Sequence, residues 1–158
     1  MSKIIYINGD ATEPIGEGKK LLVHICNDVG AWGAGFVLAI SSKWPEPEQS
    51  YRKWFYNQNK FELGYIQKVP VGNDITVVNM IAQHGVGFNE GGPPLRYVAL
   101  RKCLEKVAIE ALDKKASVHM PRIGCGLAGG SWDAVGDIID STLIKKQIVV
   151  IVYDYDGN

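Results

Sequence analysis

Short apolar runs alternate with amphipathic segments along the whole chain, and this alternation restricts the possible folds more than any other feature. Runs typical of β-strands cover residues 4–7, 21–26, 65–71, 75–79, 117–120 and 148–153. Helical spacing covers residues 36–40 and 51–55, a long segment from after Pro93-Pro94 to about Leu112, and residues 132–143. The triplet Gly72-Asn73-Asp74 is typical of a hairpin turn between two strands. The pattern predicts an α/β domain around a mixed sheet, and because no linker divides it, residues 1–158 are predicted to form one domain.

The same pattern predicts which faces are buried. The first two strands read as buried because they are nearly continuous apolar runs. The long helix is predicted to bury one stripe formed by Val98, Leu104, Val107, Ala108, Ala111 and Leu112.

Composition excludes several classes of function. The 17 Lys and Arg residues balance the 17 Asp and Glu residues, so no general positive field attracts nucleic acid or an anionic membrane. No apolar run approaches the roughly 20 residues that span a bilayer, and the N-terminus lacks a signal-peptide pattern, so we expect a cytoplasmic protein. Cys26, Cys103 and Cys125 are widely spaced, which favours reduced thiols over disulfides or a zinc site. No metal or cofactor is expected.

Residues 121–131, Pro-Arg-Ile-Gly-Cys-Gly-Leu-Ala-Gly-Gly-Ser, lie between a predicted strand and a predicted helix. Their glycines allow backbone N–H groups to approach an anion, and the following helix N-terminus adds its dipole, so the loop suits a phosphate. A tight turn is the alternative. The loop lacks the lysine of a nucleoside triphosphatase, and the chain ends too soon after Gly129 for a complete dinucleotide-binding half.

Cys125 in this loop could be a nucleophile, because a thiol at a helix N-terminus has a lowered pKa. No arginine follows in residues 127–131 to hold an anion, which favours a small packed thiol instead. A second glycine-rich loop, residues 24–36, also follows a strand and precedes a helix. Two such loops predict a ligand with two linked phosphates held by backbone amides.

Four motifs in register resemble the macrodomain family, and the resemblance covers nearly the whole chain. They are Gly-Asp-Ala-Thr at residues 9–12, the Asn27 loop with its Gly-x-Gly, Asn-Met-Ile-Ala-Gln at residues 79–83, and the 121–130 loop. The resemblance implies a three-layer α/β/α sandwich with a mixed sheet of about six strands and a cleft for ADP-ribose.

The resemblance also implies roles for individual residues. Asp10 would accept a hydrogen bond from the adenine amino group, although from the residues alone it also suits a turn or helix cap. Asn27 would contact the distal ribose, and Tyr153 or Tyr155 would pack beside adenine. The full set of implied ligand contacts is Gly9, Asp10, Ala11, Asn27, Gly30, Ala31, Trp32, Gly33, Ala34, Gly35, Phe36, Arg122, Gly124, Cys125, Gly126, Leu127, Ala128, Gly129, Gly130, Tyr153 and Tyr155.

Macrodomains include ADP-ribose readers and enzymes, and two enzyme branches are similar to this sequence. The terminal ADP-ribose protein glycohydrolase branch shares the 121–127 motif, but its aspartate and lysine are replaced by Ala128 and by Ala82 or Gln83. The yeast-type ADP-ribose-1''-phosphate phosphatases are similar through His24, Asn27 and the Gly-x-Trp-Gly-x-Gly run.

Three residues are the predicted catalytic set: His24, Asn27 and Asp28. An imidazole can exchange protons at neutral pH, whereas the alternative for His24 is a strand residue whose ring is satisfied by its neighbours. The acidic partner could be Asp28 or Glu90, and His84 lies in a glycine-rich segment at the edge of the predicted cleft. Arg122 could contact an anion or hold the loop through a salt bridge.

The predicted function is therefore an ADP-ribose-binding macrodomain that hydrolyses a substituent from the distal ribose, either a 1''-phosphate or an ester. The alternatives are a non-catalytic ADP-ribose reader and a nucleotide-sensing module. An ADP-ribose derivative is the expected partner, which allows an ADP-ribosylated protein or nucleic-acid end but neither a membrane nor bulk nucleic acid.

Overall fold

A computed structural model of the protein describes residues 3–87 and 92–155. The strands are β1 (Ile5–Asn8), β2 (Lys20–Asn27), β3 (Ile66–Gly72), β4 (Ile75–Gln83), β5 (Ser117–Met120) and β6 (Val150–Asp154). The helices are α1 (Phe36–Lys43), α2 (Glu46–Asn57), α3 (Tyr97–Lys114) and α4 (Trp132–Thr142), followed by a short 3₁₀ turn at Ile144–Lys146. Within the described residues, no helix combines the length and apolar composition that crossing a bilayer requires.

The six strands form one mixed sheet in the order β1-β6-β5-β2-β4-β3. All neighbours are parallel except β3 and β4, which are antiparallel. Asn73 and Asp74 both have positive φ, at 52° and 61°, as the tight turn between these two strands requires. The predicted hairpin and mixed sheet are confirmed.

A hydrophobic core lies on each face of the sheet, because successive strand side chains point to opposite faces. On one face, Leu21, Met80 and Val152 pack with the buried sides of α3 and α4. On the other face, Leu22 and Ile81 pack with α1 and α2. The result is the three-layer α/β/α sandwich that the resemblance implied.

Two of the burial predictions are wrong. β1 is an edge strand, so Ile5 is 47% exposed and Tyr6 46% exposed, whereas β2 is buried as expected. In α3, Val98 is 72% exposed and Leu112 50% exposed. Both positions lie on the solvent side of α3, outside the buried stripe that faces the sheet.

Candidate functional site

Three adjoining cavities lie at the carboxyl ends of the central parallel strands, where ligands bind in open α/β sheets. The first, the Asp10 cavity, has a volume of about 280 Å³ and is lined by residues that include Asp10, Ala11, Phe36, Tyr153 and Tyr155. The second, the glycine cavity, has about 280 Å³ and is lined by residues that include His24, Gly35, Arg122, Gly124, Gly126 and Ala128. The third, the Gln83 cavity, has about 340 Å³ and is lined by residues that include Asn27, Ala31, Gly33, Gln83, Val86 and Gly87.

Shared walls join the three cavities into one cleft. Phe36 and Pro121 line both the Asp10 cavity and the glycine cavity. Ala34 and Leu127 line both the glycine cavity and the Gln83 cavity. The two glycine-rich loops that the sequence singled out therefore face each other across the middle of the cleft.

In the Asp10 cavity, Asp10 has the turn role that its position in the sequence suggested. Its Oδ1 accepts hydrogen bonds from the backbone N–H of Thr12 at 2.8 Å and from its hydroxyl at 2.7 Å, which fixes the turn after β1. The carboxylate also lines the cavity, where it can serve as an acceptor for a ligand. Its contact with adenine stays a prediction.

Tyr153 lines the same cavity but is held by a buried network. Its ring is only 2% exposed, and its hydroxyl accepts a hydrogen bond from the backbone N–H of Ile15 at 2.9 Å. The hydroxyl also lies 2.7 Å from Nδ1 of His119, whose Nε2 lies 2.7 Å from the Ser117 hydroxyl. Burial lowers the pKa of His119 to about 4, and the positive charge of Lys20 adds to this. His119 is therefore a neutral, structural histidine.

Arg122 lines the glycine cavity and forms the salt bridge that was one of its two predicted roles. Its guanidinium bonds both carboxylate oxygens of Asp154, with Nε–Oδ1 at 2.6 Å and Nη2–Oδ2 at 3.1 Å. It also lies 5.0 Å from the ring centre of Tyr6 and 5.1 Å from that of Trp132, within cation–π range. The Arg122 hydrogen bonds lower the pKa of Asp154. Its predicted contact with an anion stays a prediction.

The environment of Cys125 disfavours the nucleophile reading. Its thiol donates to the carbonyl of Ile123 at 3.4 Å. Partial burial raises the pKa of the thiol, and the positive charge of Arg122 offsets this only in part. A thiol that holds its proton more firmly than usual is a poor nucleophile at neutral pH.

Asn27 organises the loop that follows β2. Its Oδ1 accepts the backbone N–H groups of Val29 and Ala31, both at 3.0 Å, and its Nδ2 donates to the carbonyl of Ala31 at 2.8 Å. Tyr51 of α2 donates its hydroxyl to Asn27, with 2.6 Å to the backbone carbonyl oxygen and 2.8 Å to Oδ1. Burial raises the pKa of the Tyr51 phenol, so the hydroxyl stays a donor. Asn27 also lines the Gln83 cavity, a position that is compatible with the predicted ribose contact. That contact stays a prediction.

His24 lies deep in the sheet rather than at its edge. It is 1% exposed, with its ring edge-on to Trp32 at 5.4 Å between centres. Its Nε2 lies 2.5 Å from Oδ1 of Asn79. The amide nitrogen of Asn79 donates to the carbonyl of Pro47 and to Gln67, so its oxygen accepts and His24 donates.

This environment gives His24 the properties of a structural residue. Burial lowers its pKa to about 4, and the hydrogen bond to Asn79 opposes this only in part. Nδ1 is buried with no hydrogen-bond partner among the described residues, although the residue lines the glycine cavity. The catalytic role of His24 stays a prediction that its burial does not favour.

Asp28 and His84 meet at the ends of two neighbouring strands. Oδ2 of Asp28 lies 2.7 Å from Nδ1 of His84, and Oδ1 accepts the backbone N–H of Gly85 at 2.8 Å. The other predicted acidic partner, Glu90, lies outside the described residues. Gln83, one of the two residues predicted to replace the lysine of the glycohydrolase branch, lines the Gln83 cavity. The sequence suggested Asp28 and His84 as candidate site residues, but it gave no signal for the contact between them or for the role of Tyr51.

Several predicted ligand contacts do not line these cavities in the part of the chain that the structure describes: Gly9, Gly30, Trp32, Cys125, Gly129 and Gly130. Trp32 is 4% exposed and donates its Nε1–H to the hydroxyl of Ser41 at 2.8 Å, which places it in the core below the cleft. A Cβ on Gly30 would lie 2.6 Å from the ring of Phe55, so this glycine permits close packing. Their ligand contacts stay predictions that these positions do not favour.

Comparison with known proteins identifies the family. A model of the Macro domain family matches residues 23–139. A solved structure from Bacteroides thetaiotaomicron is 56% identical, with a TM-score of 0.94 over 96% of this chain and 98% of that one. The macrodomain protein of Streptomyces coelicolor is 47% identical, with a TM-score of 0.86 over 96% and 99%.

More distant similarities include two named relatives and one structure solved with a ligand. An ADP-ribose 1''-phosphate phosphatase of Saccharomyces cerevisiae is 33% identical, matching 89% of this chain and 93% of that one. A mouse chromodomain-helicase-DNA-binding protein 1-like is 30% identical over 96% of this chain, which spans only 18% of that protein. Thermosipho africanus DarTG, solved in complex with ADP-ribose, shares the fold at 19% identity and a TM-score of 0.69, covering 87% of this chain and 38% of that one. Since the family model spans most of the sequence and agrees with the fold, the chain belongs to the Macro domain family.

Proposed function

We propose that the cleft binds ADP-ribose and that the protein hydrolyses a substituent attached to the distal ribose. The observation that carries this proposal is the continuity of the three cavities through Phe36, Pro121, Ala34 and Leu127. Such a cleft suits a ligand of three linked parts with the anionic part in the middle. The ADP-ribose in the Thermosipho structure is a ligand of this kind.

The chemistry of the three cavities supports one orientation of the ligand. The Asp10 cavity combines a carboxylate acceptor with the rings of Phe36, Tyr153 and Tyr155, which suits an aminated aromatic base. The glycine cavity is lined by Gly35, at the N-terminus of α1, and by Gly124 and residues 126–128, which suits a diphosphate. The distal ribose then occupies the Gln83 cavity, whose amides Asn27 and Gln83 can pair with hydroxyls.

Two linkages have separate support. The named activity of the yeast relative supports a 1''-phosphate. The Gln83 cavity supports a carboxylic ester, because none of its lining residues among those described is charged, and a phosphate dianion there would lack a cation. With Ala128 in place of the aspartate and Ala82 or Gln83 in place of the lysine, neither linkage would be cut through a covalent lysine intermediate.

The test is incubation of the protein with ADP-ribose-1''-phosphate and with glutamate-, serine- and nucleotide-linked ADP-ribose, followed by mass spectrometry of the products. We expect release of free ADP-ribose from at least one of the four. Micromolar binding without release from any of them would identify a reader instead. Absence of ADP-ribose binding in calorimetry would refute the whole proposal.

Asp10→Asn should weaken ADP-ribose binding by about 1–3 kcal/mol, measured by titration calorimetry. The asparagine keeps one oxygen to accept from Thr12, so the turn survives, while its amide nitrogen cannot accept a hydrogen bond from a ligand amino group. The matched control is Glu13→Gln, which changes the neighbouring, exposed carboxylate that pairs with Lys43. Unchanged affinity in Asp10→Asn would remove Asp10 from the ligand contacts.

A further inference from the structure

We infer that Val86 and Leu127 form an apolar rim that contacts an uncharged, apolar stretch of polypeptide beside an ADP-ribosylated residue, so that the modified partner is a protein. The inference rests on the proposed function, because a distal ribose in the Gln83 cavity brings the group attached to it against this rim. Val86 lines the Gln83 cavity, and Leu127 lines both that cavity and the glycine cavity.

The two side chains of the rim are exposed although they are large and apolar. Val86 is 60% exposed and Leu127 is 68% exposed. A single exposed aliphatic side chain is ordinary on a protein surface, but here two of them, from different loops, border the same cavity. Exposed apolar side chains grouped at a cleft are typical of surfaces that contact a partner.

The backbone presents both side chains without using them for core packing. Leu127 lies within a turn that is closed by the hydrogen bond from the N–H of Gly129 to the carbonyl of Gly126 at 3.1 Å. Val86 lies between two glycines, residues 85 and 87, whose φ angles are 65° and 68°. Glycine, proline and small polar residues are the usual occupants of turns, so packing within the chain does not account for a leucine and a valine at these two positions.

Hydrogen bonds hold the segment that carries Val86. The backbone N–H of Gly85 donates to Oδ1 of Asp28 at 2.8 Å, and the Gly85 carbonyl accepts from Nε2 of Gln83 at 2.9 Å. The turn around Leu127 is closed by its own hydrogen bond. A rim held in this way has little conformational freedom to lose when a partner binds, so contacts with it contribute to affinity.

The absence of charge in the cavity distinguishes between two kinds of partner. None of the residues that line the Gln83 cavity is charged within the described part of the chain, and its polar groups include the amides of Asn27 and Gln83. A nucleic acid carries a phosphate on each nucleotide, and a phosphate against apolar side chains with no cation loses hydration without compensation. A polypeptide can instead present an aliphatic side chain next to the modified residue. The rim therefore favours a protein partner.

The experiment measures the affinities of free ADP-ribose and of three conjugates by titration calorimetry. Two conjugates are peptides that carry ADP-ribose on the same central side chain through an amide, which resists hydrolysis, with either leucine or serine on both sides of it. The third is an oligonucleotide with ADP-ribose at its 5' end. The leucine peptide should bind about five- to tenfold more tightly than free ADP-ribose, because its flanking side chains bury apolar surface on the rim. The serine peptide and the oligonucleotide should bind no more tightly than free ADP-ribose.

Variants of the rim are compared through one ratio, the affinity for the leucine peptide divided by the affinity for free ADP-ribose. Val86→Ser and Leu127→Ser should each lower this ratio about threefold or more, whatever they do to the binding of free ADP-ribose. Leu127→Met keeps an apolar side chain of similar volume and should preserve the ratio. Ile109→Ser is the matched control, because Ile109 is 66% exposed on α3 and lines none of the three cavities. It should leave the ratio unchanged.

The outcomes separate this inference from the proposed function. Equal affinities of the leucine and serine peptides, or rim variants that keep the parent's ratio, would overturn the inference and leave the proposed function standing. An oligonucleotide conjugate that binds more tightly than the leucine peptide would overturn it too and would identify a nucleic acid as the partner. Preference for the leucine peptide in a protein that cuts none of the four substrates would support the rim and refute the hydrolase. Absence of ADP-ribose binding would refute both proposals.

Discussion

Lowering the pH from 7 to 5 should cost the fold about 4 kcal/mol through two buried histidines, about 2 kcal/mol from each. Burial lowers the pKa of both His24 and His119 from 6.5 to about 4. Between those values the unfolded chain binds protons that the native chain does not, so acid favours unfolding. Stability is therefore fully present above pH 6.5 and falls as the pH approaches 4, below which these two groups cost nothing more. Urea unfolding at pH 7, 6 and 5 measures the effect.

Single substitutions isolate each histidine. His119→Gln can keep hydrogen bonds to Ser117 and Tyr153 but does not titrate, so its loss of stability between pH 7 and 5 should be about 2 kcal/mol smaller than the parent's. His24→Gln should behave in the same way. The carboxylates with lowered pKa, Glu110 and Asp154, titrate below this window and do not interfere. An unfolding free energy that is flat from pH 7 to 5 would show that the histidines are not held neutral.

The fold could be predicted because its signals are local. Successive residues of a strand face opposite sides of the sheet, so Leu21 and Leu22 pack in different cores. Parallel strands that are buried on both faces therefore appear in the sequence as continuous apolar runs. The turn at residues 72–74 predicted the antiparallel pairing of β3 with β4. The exposure of Ile5 and Tyr6 could not be read in this way, because whether a strand lies at an edge depends on the order of strands in the sheet.

The site could be predicted only in part, since its key contacts join residues that are distant in the sequence. The loops at residues 24–36 and 121–131 carried a local glycine signal and do line the cleft. Asn79 as the partner of His24, Tyr51 as the partner of Asn27 and His84 as the partner of Asp28 left no such signal. Each of these contacts exists because two elements pack side by side, and none follows from the spacing within either element.

Glycine itself was ambiguous, because the sequence does not distinguish a glycine that admits an anion from one that admits a neighbouring chain. Gly126 lines the glycine cavity, and a Cβ there would meet nothing within 4 Å. Gly130 donates its backbone N–H to the carbonyl of Gly124 at 2.7 Å. It stabilises the shape of the loop and does not line the ligand cavities. Two glycines of one motif thus have different physical roles.

Gly130→Ala should lower the free energy of unfolding by about 3 kcal/mol or more, by analogy with overpacked cores. Its Cβ would lie 2.5 Å from the carbonyl oxygen of Gly124 and 2.3 Å from Cδ2 of Leu95. Leu95 is 5% exposed and the Gly124 carbonyl is backbone, so the loop must open and give up the hydrogen bond between residues 130 and 124. Chemical denaturation at pH 7.5 gives the measurement.

Gly126→Ala is the matched control, because it adds the same methyl group four residues earlier in the loop, in open space. Its unfolding free energy should stay within about 0.5 kcal/mol of the parent's, as for surface substitutions in general. Its methyl group would project near the glycine cavity, so ADP-ribose affinity should fall in Gly126→Ala although the fold does not weaken. Equal unfolding free energies of the two variants would contradict the prediction. The loop would then be able to shift and accommodate a methyl group at residue 130 at no cost in stability.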